Sequence, residues 1–364
     1  MKTFMAAAFV GCILLSSCSP VAASSPASPI VSTATSWITF TPSPIPTFTS
    51  TPTPFLQFWK QTVVKLNAMT DVSSTEGTLG VWMVGEDGFI AYQNSYGSTI
   101  YTQSPERMNL NDVDFISAND GWIVGEGGLI LHWGGTKWEI SMPYISAQFA
   151  FYDLTEIAFT EATDGWAAGE VSNEGGSQFL IYHWDGATWT EVSLPEDWNL
   201  LGRIDHLVAL SSTDVWVFGT NRKSESGTGV TIHWDGNQWK LFPELRSYNI
   251  SSVSALSTDN IWAITREGVV LNWNGIEWKE KIQLDQASTI FAQNPGDIFA
   301  VGTKIWYWNG ETWTEIFTSS DYPADAEIRS ILAPYKAESG YPDLWLVDAS
   351  GVIYSFAHPR AIRR

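Results

Sequence analysis

The chain has 364 residues, 44% of them hydrophobic, and a formal net charge of −20. That length supports one large domain with a substantial core, and so acidic a balance argues against nucleic acid and against adhesion to anionic lipid through basic patches. Only two cysteines occur, Cys12 and Cys18, both near the N-terminus, so the rest of the chain has neither a disulfide nor a thiolate site.

Met1-Lys2 gives a short positive start, and Phe4 to Leu15 is an apolar run too short to span a bilayer, the pattern of a signal-peptide core. It ends in Leu15-Ser16-Ser17-Cys18, which resembles the lipobox of bacterial lipoproteins. That resemblance implies a signal peptide over 1–17, acylation of Cys18, and an exported protein anchored through lipid alone at the outer face of the cell membrane or envelope. The alternative is ordinary cleavage near Val21-Ala22-Ala23-Ser24, which would leave a secreted protein. Of residues 19–54, 24 are Ser, Thr or Pro and none is charged. Such a stretch buries too little apolar surface to order itself, so residues 18–54 read as a tether, reaching up to roughly 110 Å at about 3.1 Å per residue in extended form. Trp37 and Phe40 within it have no evident partner.

From residue 55 onward repeats take over. Trp-x-Gly-x-x-Trp occurs five times, starting at Trp133, Trp184, Trp234, Trp273 and Trp308, four of them with Asp or Asn before the Gly. Asp-Gly or Asn-Gly between apolar runs predicts a tight hairpin. A two-residue type I′ turn at Asp185-Gly186 would set Trp184 opposite Ala187, with Trp189 on the same face as Trp184. A second motif, Asp/Asn-x-Trp-x-x-Gly and its variants, places an aromatic at Trp82, Trp122, Trp166, Trp216, Trp262, Phe299 and Trp345, about 44 residues apart on average. Nine residues ahead stands an apolar anchor in five copies: Val113, Ile157, Leu207, Val253 and Ile290. One unit reads as an inner strand such as Leu154–Phe159, a second through Trp166, a third over Gln178–Trp184 and a fourth from near Thr188. Seven such units predict an all-β, seven-bladed β-propeller of four-stranded blades over residues 55–364. The last unit has an inner strand near Ile328–Ala333 and a third strand at Val352–Phe356, but no fourth-strand Trp. Trp59, 23 residues ahead of Trp82 just as Trp239 precedes Trp262, fits as that missing outer strand, closing the ring with the N-terminus.

Segments such as Asp120-Gly121-Trp122-Ile123-Val124-Gly125-Glu126-Gly127-Gly128-Leu129-Ile130-Leu131-His132-Trp133 resemble the repeats of photosystem II assembly and stability factor-like propellers and of bacterial BNR-like repeat proteins. The resemblance covers residues 55–364 and implies the propeller fold. The hairpin departs from the sialidase-type Asp box Ser-x-Asp-x-Gly-x-Thr-Trp, because Asp185 and Gly186 are adjacent and Tyr182 opens the stretch. No motif residue ties this acidic chain to a photosystem.

His132, His183 and His233 share one repeat position, but whole blades separate them, too far for one ion with ligand bonds of about 2 Å. Asp120, Asp164, Asp214, Asn260, Asp297 and Asp343 recur two residues before the blade aromatic, where Asp and Asn cap their own turns. The position before the inner-strand anchor carries Asp112, Glu156, His206, Ser252, Thr289 and Ser330. Asp112, Glu156 and His206 form the charged part of this candidate channel cluster, which would be hydrated or hold a cation; no other cofactor is expected.

Enzymatic signatures are sparse. Arg107, Arg203 and Arg329 fall at different places in the repeat, and no Ser-centred elbow, His-Glu-x-x-His or phosphate loop occurs. The expectation is a monomeric, non-catalytic binder of a protein or glycan at the cell envelope; the alternative is a sialidase-like surface glycoside hydrolase. Insertions collect on the side of the second-to-third turns and the fourth-strand exits, such as Ser141–Tyr152 and Ser193–Gly202, whereas the opposite side lengthens only at Thr75–Gly80 and Tyr335–Pro342. The candidate binding residues on the insertion side are Tyr144, Phe149, Trp198, Arg222 and Lys223, of types that make interface hot spots.

Overall fold

A computed structural model describes residues 57–59, 66–73, 79–94, 99–147, 149–195, 198, 200–222, 227–317, 328–332, 344–348 and 353–356. All belong to the compact unit Pro52–Arg364. Cys18, Trp37, Phe40, Lys223 and the two lengthened turns, at residues 74–78 and 333–343, lie outside the described residues.

The architecture is all-β, apart from short 3-10 turns. Among the described residues no helix is long and apolar enough to cross a membrane. After β1 (Gln57–Trp59), six antiparallel sheets each use four consecutive strands. They are β2–β5 (Leu66–Ser73, Leu79–Gly85, Phe89–Asn94, Thr99–Gln103) and β6–β9 (Leu110–Ser117, Asp120–Gly125, Ile130–Trp133, Trp138–Met142). Next come β10–β13 (Ala150–Glu161, Asp164–Asn173, Gly176–Trp184, Trp189–Glu191) and β14–β17 (Gly202–Ser211, Asp214–Asn221, Thr228–Trp234, Trp239–Leu241). The last two are β18–β21 (Ile250–Ser257, Asn260–Thr265, Val269–Trp273, Trp278–Gln283) and β22–β25 (Ala287–Asn294, Asp297–Gly302, Ile305–Trp308, Trp313–Phe317). These are blades one to six. A further sheet joins β26 (Ile328–Leu332), β27 (Leu344–Asp348) and β28 (Ile353–Phe356), with β1 antiparallel to β28 and Trp59 opposite Ile353. Successive inner strands pack side by side from β2 to β26, and β2 also contacts β26.

Second strands are buried along almost their whole length, as in Gly121–Gly125, because each blade is covered on both faces by its neighbours. A strand with two covered faces has no polar side to present, so these strands read as unbroken apolar runs rather than alternating ones. Fourth strands show the opposite: five of the six residues of β21 are exposed.

Between blades, the second-strand aromatic of one meets the hairpin pair of the next. Trp122 lies 5.0 Å from Trp184 and 5.6 Å from Trp189 between ring centroids; Trp216 lies 5.1 Å from Trp273 and 5.8 Å from Trp278. The hairpin turn differs from the sequence expectation. Trp184 pairs with Trp189 rather than standing opposite Ala187, and the loop spans the four residues Asp185–Thr188. Only Gly186 has positive φ, at 91°. The reason is local: the Asp185 carboxylate accepts the N–H groups of Ala187 (2.9 Å) and Thr188 (2.8 Å), satisfying donors that a two-residue turn would have placed in the ladder. Asp235, Asn274 and Asn309 make the same pair of bonds. Each hairpin then docks through its first Trp, whose indole donates to the first turn of its own blade: Trp133 to Ala118 O, Trp184 to Ala162 O, Trp234 to Ser212 O, Trp273 to Thr258 O and Trp308 to Pro295 O, all at 3.1–3.2 Å.

Candidate binding face and inner-strand cluster

Every described first ladder carries a register shift within its inner strand at the equivalent place, for example between Leu110 and Asp112, Leu154 and Glu156, and Ile204 and His206. At the shift two successive side chains reach the neighbouring blade, and Thr155 and Ser251 bond their own second strands as well, at Ala168 O and Ile264 O. Asn111 Nδ2 donates to Leu154 O (2.8 Å), and Thr155 and Ser251 give their hydroxyls to Ile204 O (3.4 Å) and Ser288 O (2.5 Å). The next residue makes a second bond. Asp112 Oδ2 accepts Ile157 N–H (2.9 Å), Glu156 Oε2 accepts Leu207 N–H (3.4 Å), and Ser252 Oγ accepts Ile290 N–H (3.1 Å). His206 donates through Nε2 to Ser251 O at 2.7 Å, so its Nε2 carries a proton.

The candidate channel residues are therefore clips between adjacent inner strands. Asp112, Glu156 and His206 do come together, with His206 Nδ1 3.9 Å from Glu156 Oε2. Burial pushes the Asp112 carboxyl up to about 7, opposed by the N–H groups of Ile157 and Val113 and helped by Asp114. Burial, then Asp112, raises Glu156 well above the usual carboxylate range. Burial holds the His206 imidazole below its ordinary value. Among the described residues no group of three or more His, Cys, Asp or Glu side chains is arranged to hold a metal ion.

The three repeated histidines each serve their own blade. His132, His183 and His233 place Nε2 2.9, 2.8 and 2.7 Å from Asp120, Asp164 and Asp214 Oδ1. Each ring packs on its blade tryptophan, with centroids 4.1–4.3 Å apart. Asp120 and Asp214 accept the indole N–H of Trp122 (3.2 Å) and Trp216 (2.9 Å) as well.

The insertion side is built from turns that interlock with fourth-strand exits. Gly127 N–H donates to Tyr152 O (2.7 Å), Ile145 N–H to Gly127 O (2.7 Å) and Arg222 N–H to Leu201 O (2.7 Å). Here β10 starts at Ala150, four residues before the sequence expectation, and extends its pairing with β11 out to Asn173. Tyr144 is 45% exposed and Phe149 69%, and Phe151 on the extended strand is 81% exposed. The sequence reading missed Phe151; the apolar run Phe149-Ala150-Phe151-Tyr152 was its signal. Arg222 is exposed on the same side. Trp198 is only half-buried at the surface, packed against the core cluster that includes Ile204, Val217 and Val230. Below the aromatics, Asp153 is raised to about 6, chiefly by burial and then by Glu126 and Glu170, against the hydrogen bond from Asn111.

No protein-family model matches the sequence, and no relative is found among curated proteins. Solved structures of similar fold include YCF48 bound to a D1 peptide, 16% identical with a TM-score of 0.57 over 81% of this chain and 94% of that one. YCF48 from Cyanidioschyzon merolae is 13% identical with a TM-score of 0.58, covering 82% and 98%. The WD40 propeller domain of Doa1 is 11% identical with a TM-score of 0.57, covering 82% and 94%. At these identities the likeness concerns the fold, which is that of a β-propeller.

Proposed function

We propose that the chain is a non-catalytic, lipid-anchored, extracytoplasmic propeller of seven blades, monomeric and without a cofactor, that binds a protein partner through the insertion side of blades two to four. The observation that carries the binding reading is the exposure of Tyr144, Phe149 and Phe151, three large aromatic side chains left in solvent at the exit from blade two and the start of β10. Isolated exposed apolar residues are ordinary, but aromatics grouped beside the longest strands mark an interaction site. The similar fold that holds a D1 peptide makes a polypeptide ligand a natural choice. The non-catalytic reading is supported by the inner-strand acids, which are engaged in bonds between blades. Seven blades closed by the N-terminus are supported by the pairing of β1 with β28 and the contact of β2 with β26.

The test is capture from the native envelope with residues 55–364 as bait. Phe149→Ser with Phe151→Ser should abolish recovery of the partner and leave the melting temperature unchanged, since both side chains are exposed. Recovery that survives this change but fails when the turns Asp185–Thr188 and Asp235–Gln238 are altered would place the site on the other side. The anchor is tested separately: Cys18→Ser should move the protein from the membrane fraction to the soluble one, and continued membrane association would refute lipidation.

A further inference from the structure

The side chains around the second-strand tryptophan change between blades in a way that opens one groove. Trp82 is packed by Tyr92 and by Phe115 of blade two, each with centroids 5.1 Å away. Trp122 is stacked by His132 at 4.1 Å and by Phe159 of blade three at 4.8 Å. Trp216 is packed by His233 at 4.1 Å and Phe242 at 4.8 Å. Around Trp262 all these fillers are replaced. Asn272 stands at the position of His132 and His233, Ala292 at that of Phe115 and Phe159, and Lys281 at that of Phe242. The hairpin indoles stand further off than in blades one, two and four, with Trp308 at 6.2 Å and Trp313 at 6.3 Å from Trp262; blade three has a similar gap, Trp234 at 6.5 Å from Trp166, but keeps His183 on its tryptophan at 4.3 Å. What remains is a groove of about 800 Å³ between blades five and six, opening beside the first turns and away from the aromatic edge of blade three.

A polar irregularity coincides with this opening. Asp120 and Asp214 each accept both the blade histidine and the indole N–H on one oxygen, whereas Asn260, at the same position, accepts Asn272 Nδ2 (3.1 Å) and not the indole. The Trp262 N–H is left buried without an acceptor, a costly state for a buried donor that blade three shares at Trp166.

We propose that this groove is a saccharide site taking one or two uncharged pyranose rings. Its size suits such a ligand. Trp308 and Trp313 offer indole surface to the C–H face of a sugar ring. Asp259, Glu311 and Lys281 supply acceptors and donors for hydroxyl groups, and the presence of both charge signs favours neither an anion nor a cation. Trp262 itself lines the groove, so a sugar ring seated against Trp308 and Trp313 lies beside its indole. Ligand binding thus changes the surroundings of a buried indole.

The experiment titrates the full chain with cellobiose, maltose, mannobiose and N,N′-diacetylchitobiose, following tryptophan emission and saturation transfer to sugar ring protons. At least one of the four should bind saturably and shift the emission. Refilling the groove with the pair used in blade two, Ala292→Phe with Ile298→Gly, should abolish binding. If that variant does not fold, the exposed rim changes Asp259→Ala and Glu311→Ala serve instead, each weakening binding by about tenfold. Phe149→Ser with Phe151→Ser should leave sugar binding intact, so this site and the protein-binding side can fail independently. Absence of binding by all four sugars, binding unaffected by the refilled and rim variants, or binding of an acetyl-Gly-Lys-Gly-amide peptide in place of the sugars would overturn the proposal.

Discussion

Phe115 stands directly opposite Gly121 in its blade's first ladder, and a Cβ on Gly121 would lie 2.3 Å from the Phe115 ring. Phe159 and Gly165 repeat the arrangement, again at 2.3 Å. In the next three blades the pair inverts in size to Ala209–Val215, Ala255–Ile261 and Ala292–Ile298. Volume is thus conserved across the ladder while the ring is moved on or off the neighbouring tryptophan. Gly121→Val alone should overpack the site and cost about 1–3 kcal/mol, and Phe115→Ala alone should cost about 3–5 kcal/mol. The double variant, which reproduces the pair of blade four, should recover part of the loss, with a coupling of about 1–3 kcal/mol measured by urea unfolding. Additive losses would mean that the two residues do not compensate each other.

Asp214 holds two donors at once, the Trp216 indole (2.9 Å) and His233 Nε2 (2.7 Å). Trp216 is 1% exposed, so Asp214→Ala leaves a buried N–H without an acceptor and should cost about 1–3 kcal/mol on that account alone. The equivalent change in blade three loses less from its indole, because Trp166 N–H has no acceptor to begin with. Unfolding of Asp164→Ala and Asp214→Ala side by side reads out the difference.

The two repeat motifs made the blade legible because each marks a fixed contact: the hairpin Trp donates to the first turn, and the second-strand Trp receives the next hairpin. The turn geometry was misread because Asp-Gly alone does not show that the Asp185 carboxylate takes two backbone donors. Phe151 was missed because the inner strand was taken to begin at Leu154. The role of Asp112, Glu156 and Ser252 was illegible for a different reason. Their acceptors and donors are backbone groups of the next blade, 38 to 51 residues away, and a backbone partner leaves no residue-type pattern in the sequence. The open groove of blade five, by contrast, is written plainly at Asn272, Lys281 and Ala292 once the repeats are aligned.

Closure by the N-terminus makes a direct prediction. If β1 is the outer strand of the last blade, removing residues 55–62 exposes the outward edge of β28, with its unpaired backbone groups at Ile353–Phe356. The truncated protein should melt at lower temperature and self-associate in analytical ultracentrifugation. A truncated protein that stays monomeric with an unchanged melting temperature would show that β1 contributes nothing to the ring.

The clips predict how stability depends on pH. Asp112 titrates near 7 in the folded chain, above the ordinary carboxylate value of 3.8 that the unfolded chain would show, and Glu156 is raised as well. Between the two values the folded state binds more protons than the unfolded state, so Asp112 makes stability fall as pH rises from about 4 through 7, and Glu156 adds to the fall in the same direction. His206 opposes this: with its folded value lowered, it makes stability rise with pH below its unfolded value of 6.5, until the folded imidazole also protonates. The two carboxyls outweigh the single imidazole, and the net slope is negative. Asp112→Asn keeps an oxygen for Ile157 N–H and removes the charge, so it should flatten the slope and stabilise the protein at pH 8 relative to the parent. It should make little difference at pH 4.5, where the parent Asp112 is already protonated. Thermal unfolding of parent and variant across this range measures the effect, and a parent whose melting temperature rises steadily from pH 4.5 to 8 would show that the buried acids do not govern it.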